Sequence, residues 1–468
     1  MRWFAALALL TGSASQEADP RPNILLCMAD DWGAPHASIY GDKVVKTPAF
    51  DQVAKEGVLF TRAYCATPSC TPSRAALLSG QHIHRLEQGA SLYGPLLPKF
   101  KVYPDILEEQ GYVVGHSGKG WGPGTFADGG RTRNPCGPKF ADFESFLKKV
   151  PKGKPFCFWF GSTDPHRPYA EGSGATSGMK LEDVEVPPYL PDTPEVRGDL
   201  LDYYWEVQRF DQNVGKCLDL LEPSGRKENT IVVVTSDNGM PFPRSKTSLH
   251  DSGTWMPLAL RWPAKVKGGR TVEDFVSLCD LAPTFLEAAG LEALPEMTGR
   301  TLMDLFAGES TKARDRAFFG RERHANVRKG NLSYPARAIR TKEYLYIRNF
   351  RPDRWPGGDP ELHWSVGSYG DTDNGPTKEV VISRKDEPAI ARYFELAFAK
   401  RPAEELYDVA KDPHQIRNVA GQPEYAEARK RLRAELDRWL GETGDPRLTS
   451  DDDRWDAYPY SGGPARKE

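Results

Sequence analysis

Beyond its first dozen positions, the 468-residue chain has no apolar run approaching the length of a membrane span. It has no surplus of either charge: 62 Lys and Arg stand against 65 Asp and Glu, a net charge of −3. With no basic tract, no nucleic-acid partner is expected, and with no acidic tail, no disordered solvating segment is expected. The seven cysteines (27, 65, 70, 136, 157, 217 and 279) include no pair at metal-ligand spacing, which argues against a zinc module. No internal repeat or low-complexity tract is present. Glycine (43) and proline (39) are plentiful, so many ordered loops are expected rather than a simple helical bundle. The length suffices for a large core, with one big domain and one smaller one.

The N-terminus carries one early charge in Met1-Arg2-Trp3, an apolar run from Phe4 to Leu10, and the small residues Gly12-Ser13-Ala14-Ser15. This is the grammar of a secretory signal peptide over residues 1–15. Export to a periplasm, a lumen or the exterior is the expectation; the plainer reading is a partly apolar chain end. Cys27 and Cys157 lie inside apolar runs and read as small core residues. A disulfide involving Cys65 or Cys136 is left open.

Three short apolar runs share one pattern. Asn23 to Met28 leads into Ala29-Asp30-Asp31. Phe156 to Phe160 leads to Thr163-Asp164-Pro165-His166. Ile231 to Val234 leads to Ser236-Asp237-Asn238-Gly239. Each reads as a buried strand ending in polar residues. In open α/β sheets, ligands bind just beyond the carboxyl ends of strands, so the three ends point to one site. Asp30, Asp31, Asp237 and Asn238 are hard oxygen donors suited to Ca²⁺ or Mg²⁺ rather than zinc or copper. Any one such pair, taken alone, is more often a turn or a helix cap.

Apolar spacing predicts helices over residues 47–55, 103–109, 199–221, 272–289 and 425–440. Residues 339–349 have strand character with charged alternation. From about residue 301 the pattern changes. Three regions are expected after the signal peptide: a large α/β domain over 20–350, a smaller α+β domain over 351–450, and a tail over 451–468.

Residues 70–80 read Cys-Thr-Pro-Ser-Arg-Ala-Ala-Leu-Leu-Ser-Gly. The spacing Cys-x-Pro-Ser-Arg before a helix-like run resembles the signature of the type I sulfatases. The order of motifs matches that family over nearly the whole chain after the signal peptide, and looks most like its sulfamidase, or heparan N-sulfatase, group. The residues that carry this are Thr235 to Pro243, Leu190-Pro191-Asp192-Thr193-Pro194, Ser333-Tyr334-Pro335 with Arg337, Glu405-Leu406-Tyr407-Asp408, and Asp412-Pro413-His414. The resemblance implies an alkaline-phosphatase-like large mixed sheet flanked by helices. It also implies hydrolysis of a sulfate ester or sulfamate on a sulfated sugar, with release of inorganic sulfate.

In that family the motif cysteine is oxidised to formylglycine, so the resemblance makes Cys70 its precursor and a formylglycine-generating enzyme its maturation partner. The hydrated aldehyde offers one hydroxyl to attack sulfur and a second whose deprotonation expels sulfate. Arg74, one turn on, would sit on the same helix face. The resemblance assigns Asp30, Asp31, Asp237, Asn238 and the modified Cys70 to a Ca²⁺ ion, with Mg²⁺ as the alternative. It assigns Lys119 and Lys246 to sulfate, His166 to the leaving group, and His84 and His324 to substrate-side positions. For these two histidines, a packing role is an equal alternative.

One departure stands out. The family's Gly-Lys-x-His motif helps deprotonate formylglycine, yet here Trp121 occupies the histidine's place. His116 lies upstream on the wrong side of Lys119; His250 and Asp251 are the other candidates. Two further classes stay open: a phosphonate or phosphate ester hydrolase, and a non-catalytic binder of sulfated glycans.

Overall fold

The computed structural model describes residues 19–308, 314–361, 367–451 and 453–462. The expected signal peptide, residues 1–15, lies outside the described residues.

The first sheet has eight strands: β1 (Asn23–Ala29), β2 (Val58–Tyr64), β3 (Val113–Gly118), β4 (Phe156–Gly161), β5 (Thr230–Ser236), β6 (Trp255–Arg261), β7 (Arg270–Val272) and β8 (Val276–Ser277). Their order is β3-β4-β1-β5-β6-β2-β7, with β8 beside β2. Strands β3, β4, β1 and β5 are mutually parallel, and β6 runs antiparallel to both β5 and β2. The parallel block therefore delivers four carboxyl ends to one edge of the molecule.

Successive side chains of a strand face opposite ways, and β1 shows why this sheet must be covered twice. Ile24, Leu26 and Met28 pack with the Cys70–Ser79 helix and the Leu281–Ala288 helix. Leu25, Cys27 and Ala29 pack with the Pro48–Glu56 helix and the long Pro194–Leu221 helix. All of these strand residues are fully buried. Burying each large aliphatic side chain contributes about 1.5–3 kcal/mol.

A second, antiparallel sheet has the order β12-β11-β10-β9, built from β9 (Arg316–Arg321), β10 (Ala336–Thr341), β11 (Tyr344–Asn349) and β12 (Glu404–Asp408). One face, with Ile339, Tyr346 and Leu406, is covered by Leu432, Leu436 and Leu440 of the Ala426–Glu442 helix. The other face packs on the first unit, where Tyr64 stacks between Phe275 and Phe319 at 5.7 and 5.6 Å. Three strands of this sheet precede residue 351 and one follows it, so the sheet crosses the boundary expected from composition.

The helices expected at 47–55, 103–109, 199–221 and 425–440 are present within a few residues of their predicted bounds. The expected 272–289 helix is shorter. Residues 270–277 hold the two small strands β7 and β8, and helix begins only after Ser277. Ser277 and Asp280 form a capping box, which starts a helix there at the expense of one reaching further back. The 339–349 stretch is a hairpin, β10 and β11, turning at Lys342-Glu343. Within the expected tail, Arg454–Ala457 forms a helical turn whose Trp455 is buried and donates its indole N–H to the Glu87 carbonyl.

Candidate active site

Strand ends and a helix start place most site residues, while Lys246 and Asp373 lie on irregular segments. Asp30 and Asp31 follow β1, Lys119 follows β3, His166 lies five residues past β4, and Asp237 and Asn238 follow β5. Asp31 takes the left-handed backbone conformation (φ 74°), which aspartate tolerates better than bulkier residues. Lys119 can turn into the site because two glycines let β3 and β4 close up beside it. A Cβ on Gly161 would lie 1.6 Å from the Lys119 carbonyl oxygen, and one on Gly118 would lie 2.0 Å from that of Gly161.

Cys70 is the first residue of its helix, with Sγ 3.4 Å from Asp30 Oδ1 and 3.9 Å from Asp31 Oδ1. Lys119 Nζ bonds Asp30 Oδ2 at 2.5 Å, and Lys246 Nζ bonds Asp31 Oδ2 at 2.9 Å. Arg74 is fully buried: its Nε bonds Asp237 Oδ2 at 2.7 Å, and its Nη1 bonds the carbonyls of Lys119 and Gly120 at 2.9 and 2.8 Å. It therefore acts through Asp237 and the Lys119 loop. Asp237 Oδ1 accepts from the Asp31 N–H at 3.1 Å, and Asn238 Nδ2 donates to Asp31 Oδ1 at 2.6 Å. His166 donates from Nδ1 to the Arg167 carbonyl at 2.6 Å, which turns Nε2 toward Asp31 at 3.9 Å.

Residual exposure shows which side of the cluster faces solvent. The side chains of Lys119, His166 and Asp373 keep 16, 33 and 17 % of their surface, whereas those of Asp30, Asp31, Asp237, Arg74 and Lys246 keep 2 % or less. The cluster is therefore open to solvent on the Lys119–His166–Asp373 side. Asp373 was missed by sequence reasoning. It comes from an irregular Gly- and Asp-rich segment that carries no periodic signal, and only the fold sets it 2.9 Å from Lys246 Nζ.

Burial pushes the Asp30 carboxyl up, but the charges of Lys119, His166, Arg74 and Lys246 outweigh it and hold the group well below the usual carboxylate range. Burial lifts Asp237 to about 6 against the pull of Arg74. Burial, and then the Asp30 charge, push the Cys70 thiol far up, which disfavours the thiolate that a thiol nucleophile needs.

The donors fit a hard divalent cation. Carboxylate oxygens of Asp30, Asp31 and Asp237 lie within 4.8 Å of one another, and Asn238 Oδ1 is a buried acceptor with no hydrogen-bond partner. An oxygen-only set of this kind suits Ca²⁺ or Mg²⁺.

Of the two substrate-side histidines, His324 borders the site, close enough for the charges of Lys246 and Asp373 to act on it, and His84 does not. Ser69 Oγ bonds His324 Nδ1 at 2.8 Å, so His324 backs the residue before Cys70. His84 lies beyond the far end of the Cys70–Ser79 helix. It is buried against Trp439 with Nδ1 3.5 Å from Asp445, and the fold does not bring it to Cys70. The candidates for the departed base also face other partners. His116 Nδ1 donates to the Gly137 carbonyl, His250 Nδ1 meets Ser248 Oγ, and Asp251 pairs with Arg340. Trp121 is buried in the core cluster that includes Cys136 and lines a cavity that Lys119 also borders. Among the quoted motifs, Thr193-Pro194 is the cap and first residue of the long helix. Arg337 belongs to a buried ion-pair group with Glu322, Asp445 and Arg447.

A mixed sheet gathering acids, cations and a helix-start cysteine at its strand ends is the architecture of the alkaline-phosphatase-like hydrolases. The chain belongs to the sulfatase family, whose model matches residues 22–133 and 139–291, so it is a hydrolase. The model described as N-sulphoglucosamine sulphohydrolase, C-terminal, matches residues 244–357. The chain is 29 % identical to the human N-sulphoglucosamine sulphohydrolase over 96 % of this chain and 95 % of that one. It is equally identical to an ulvan-active sulfatase of Formosa agariphila over 91 % of this chain and 76 % of that one. A solved structure of a protein bound to its substrate D-glucosamine-2-N,6-O-disulfate superposes with a TM-score of 0.65 at 19 % identity, covering 93 % and 99 % of the two chains. A phosphonate monoester hydrolase from Silicibacter pomeroyi superposes at 0.68 with 16 % identity, covering 92 % and 97 %. At such identities these two likenesses show the fold alone.

Proposed function

We propose that this sulfatase removes sulfate from a sulfated amino sugar, with an N-sulfated glucosamine as the best substrate, through a formylglycine made from Cys70. The observation that carries the reaction is the position of Cys70: its Sγ faces Asp30 and Asp31 while two lysines bond the same carboxylates from either side. Support for the sugar comes from the C-terminal model match and from the full-length likeness to the human N-sulphoglucosamine enzyme.

Formylglycine at position 70 would supply a hydrated aldehyde as nucleophile in place of a suppressed thiol. Asp30, Asp31, Asp237 and Asn238 would hold Ca²⁺, or Mg²⁺, which when bound neutralises sulfate oxygens and polarises the nucleophile. Lys119 and Lys246 face the same space and stabilise the charge that develops on sulfate. Arg74 fixes Asp237 and the Lys119 loop. His166, its Nδ1 held by a carbonyl, presents Nε2 and hands a proton to the departing nitrogen or oxygen. Maturation by a formylglycine-generating enzyme and export belong to this reading. Among the described residues no helix is long and apolar enough to cross a membrane.

The test is release of inorganic sulfate from N-sulfated glucosamine and a panel of O-sulfated sugars. The protein would be co-expressed with a formylglycine-generating enzyme, with Cys70→Ala as control. Release from N-sulfated glucosamine that disappears in the variant is expected. Preference for an O-sulfated sugar would overturn the substrate. No release from any sugar, with Cys70 conversion confirmed by peptide mass, would favour a phosphorus-ester hydrolase or a binder.

A further inference from the structure

Behind Lys246, between the loop at residues 244–250 and the inner face of the second sheet, lies a cavity of about 40 Å³. It is separate from the space in front of Cys70, since neither Cys70, His166 nor Asp373 lines it. Its wall carries Arg244, Lys246, Arg321 and Arg401 against a single carboxylate, Glu405.

The charges do not cancel. Lys246 is matched by Asp31 and Asp373. Arg321 shares Asp371 with Arg328, so one carboxylate serves two guanidinium groups. Arg244 donates to the carbonyls of Leu396 and Gln415 and lies against Tyr407, with the Glu405 charge acting on it, and Arg401 donates to the carbonyls of Glu395 and Leu396. Among the described residues neither of these arginines makes an ion pair. Glu405, whose oxygens accept from Asn349 Nδ2 at 2.8 Å and Tyr407 Oη at 2.6 Å, is one negative charge against Arg244 and Arg401.

The polar atoms point the same way. Arg244, Arg321, His250 and Tyr334 all line the cavity, and each is 3–4 % exposed. Each also keeps a buried atom with no hydrogen-bond partner: Arg244 Nε, Arg321 Nε, His250 Nε2 and Tyr334 Oη. The Tyr334 ring is occupied by the guanidinium groups of Arg321 and Arg328 at 5.3 and 5.6 Å. Burial pulls Arg321 down to about 10, with Asp371 opposing and the Arg328 charge adding to it, and burial lowers Arg244 also. Native structures rarely leave buried polar atoms unpaired, and an unseen ion or water is a standard cause of such groups. Water would satisfy the donors but not the charge, and burying uncompensated charge is costly. A site of this volume admits one small ion.

We propose that this cavity is a binding site for a small inorganic anion, held by Arg244, Arg321, His250 and Tyr334. His250 would donate from Nε2 while Nδ1 accepts from Ser248. Chloride and the free sulfate ion share the required chemistry. Tyr334, part of the Ser333-Tyr334-Pro335 motif, gains a role here that the catalytic site does not give it.

The experiment starts from protein exchanged into a gluconate buffer free of halide and sulfate. Thermal unfolding is followed while bromide, chloride or sulfate replaces gluconate at constant ionic strength, and crystals are soaked in bromide. A saturable rise in Tm with halide is expected, with an anomalous bromide peak in reach of Arg244 Nε, Arg321 Nε and Tyr334 Oη. Tyr334→Phe keeps the ring on its guanidinium partners and removes one donor to an anion, so the apparent halide affinity should fall about tenfold. Sulfate density in the cavity with no halide effect would also support the site and would identify its occupant as sulfate. The proposal is overturned if neither anion stabilises the protein beyond gluconate, if the stabilisation is unchanged in Tyr334→Phe, or if the anion density lies only in front of Cys70.

Discussion

Lys246 Nζ is shared between Asp31 and Asp373, 2.9 Å from each, and so ties the first strand's end to a segment far along the chain from Ser277, where the last strand of the first sheet ends. Burial works against the lysine's charge, yet the two carboxylates hold its pKa well above the ordinary value. Lys246 is therefore a fixed cation, aimed by both partners. Removing one partner of a buried pair leaves the other poorly compensated. Asp373→Asn is expected to lower kcat/KM on the preferred sulfated sugar at least about tenfold, since one mislaid charge contact is worth about 1.4 kcal/mol or more. Little loss of Tm should accompany it, because Asp31 still binds the lysine. Unchanged kinetics would remove Asp373 from the site.

Three crowded carboxylates beside an orphan Asn238 carbonyl oxygen make the folded protein a better cation ligand than the unfolded chain. A chelator should lower Tm, and calcium should restore it. The shift should correspond to about 2.7 kcal/mol when calcium stands at a hundred times its dissociation constant. Asp237→Asn should shrink this calcium-dependent rise. A Tm indifferent to chelator and calcium would count against the cation site.

Glu206 is pushed up to about 7 by burial and then by the Asp164 charge, with Arg209 opposing. An unfolded glutamate titrates near pH 4.3. The folded protein therefore binds this proton more tightly. The stability it contributes is complete below about pH 4.3 and is lost as pH rises through about 7. Glu206→Gln cannot ionise, so its Tm should gain on the wild type between about pH 5 and pH 8, read from parallel melts. A constant difference across that range would show that Glu206 does not titrate this way.

Trp121 stands where the family's histidine is expected, and its side chain packs into the core. Trp121→Ala should cost about 3–5 kcal/mol of stability by urea unfolding, the usual penalty for emptying a large aromatic site. Trp121→Phe should cost less and keep most of the sulfate release. A loss of turnover in Trp121→Phe beyond about tenfold, at unchanged stability, would place the indole in the chemistry.

The large α/β unit was readable because its strands are short apolar runs ending in polar pairs, and a run buried on both faces leaves that mark in any sequence. The same pattern made Asp30, Asp31, Asp237 and Asn238 visible. Cys70, Arg74, Lys119, His166 and Lys246 followed from motif resemblance, which local residue order carries. Less was legible where order depends on partners. The 272–289 stretch looked helical throughout, and only the Ser277–Asp280 cap shortened it. His84 and His324 were indistinguishable as lone histidines. One is buried beside Asp445 and the other touches Ser69, because helix length and sheet placement separated them.

By itself, then, the sequence determined the strand ends, the oxygen donor set, the helix-start cysteine and the family, since each rests on neighbours along the chain. Tertiary structure alone decided that Asp373 aims Lys246, that Trp121 belongs to the core, and that four cations crowd a cavity behind the site. Those relations join residues distant in sequence, and their energies arise only once burial removes water from between them.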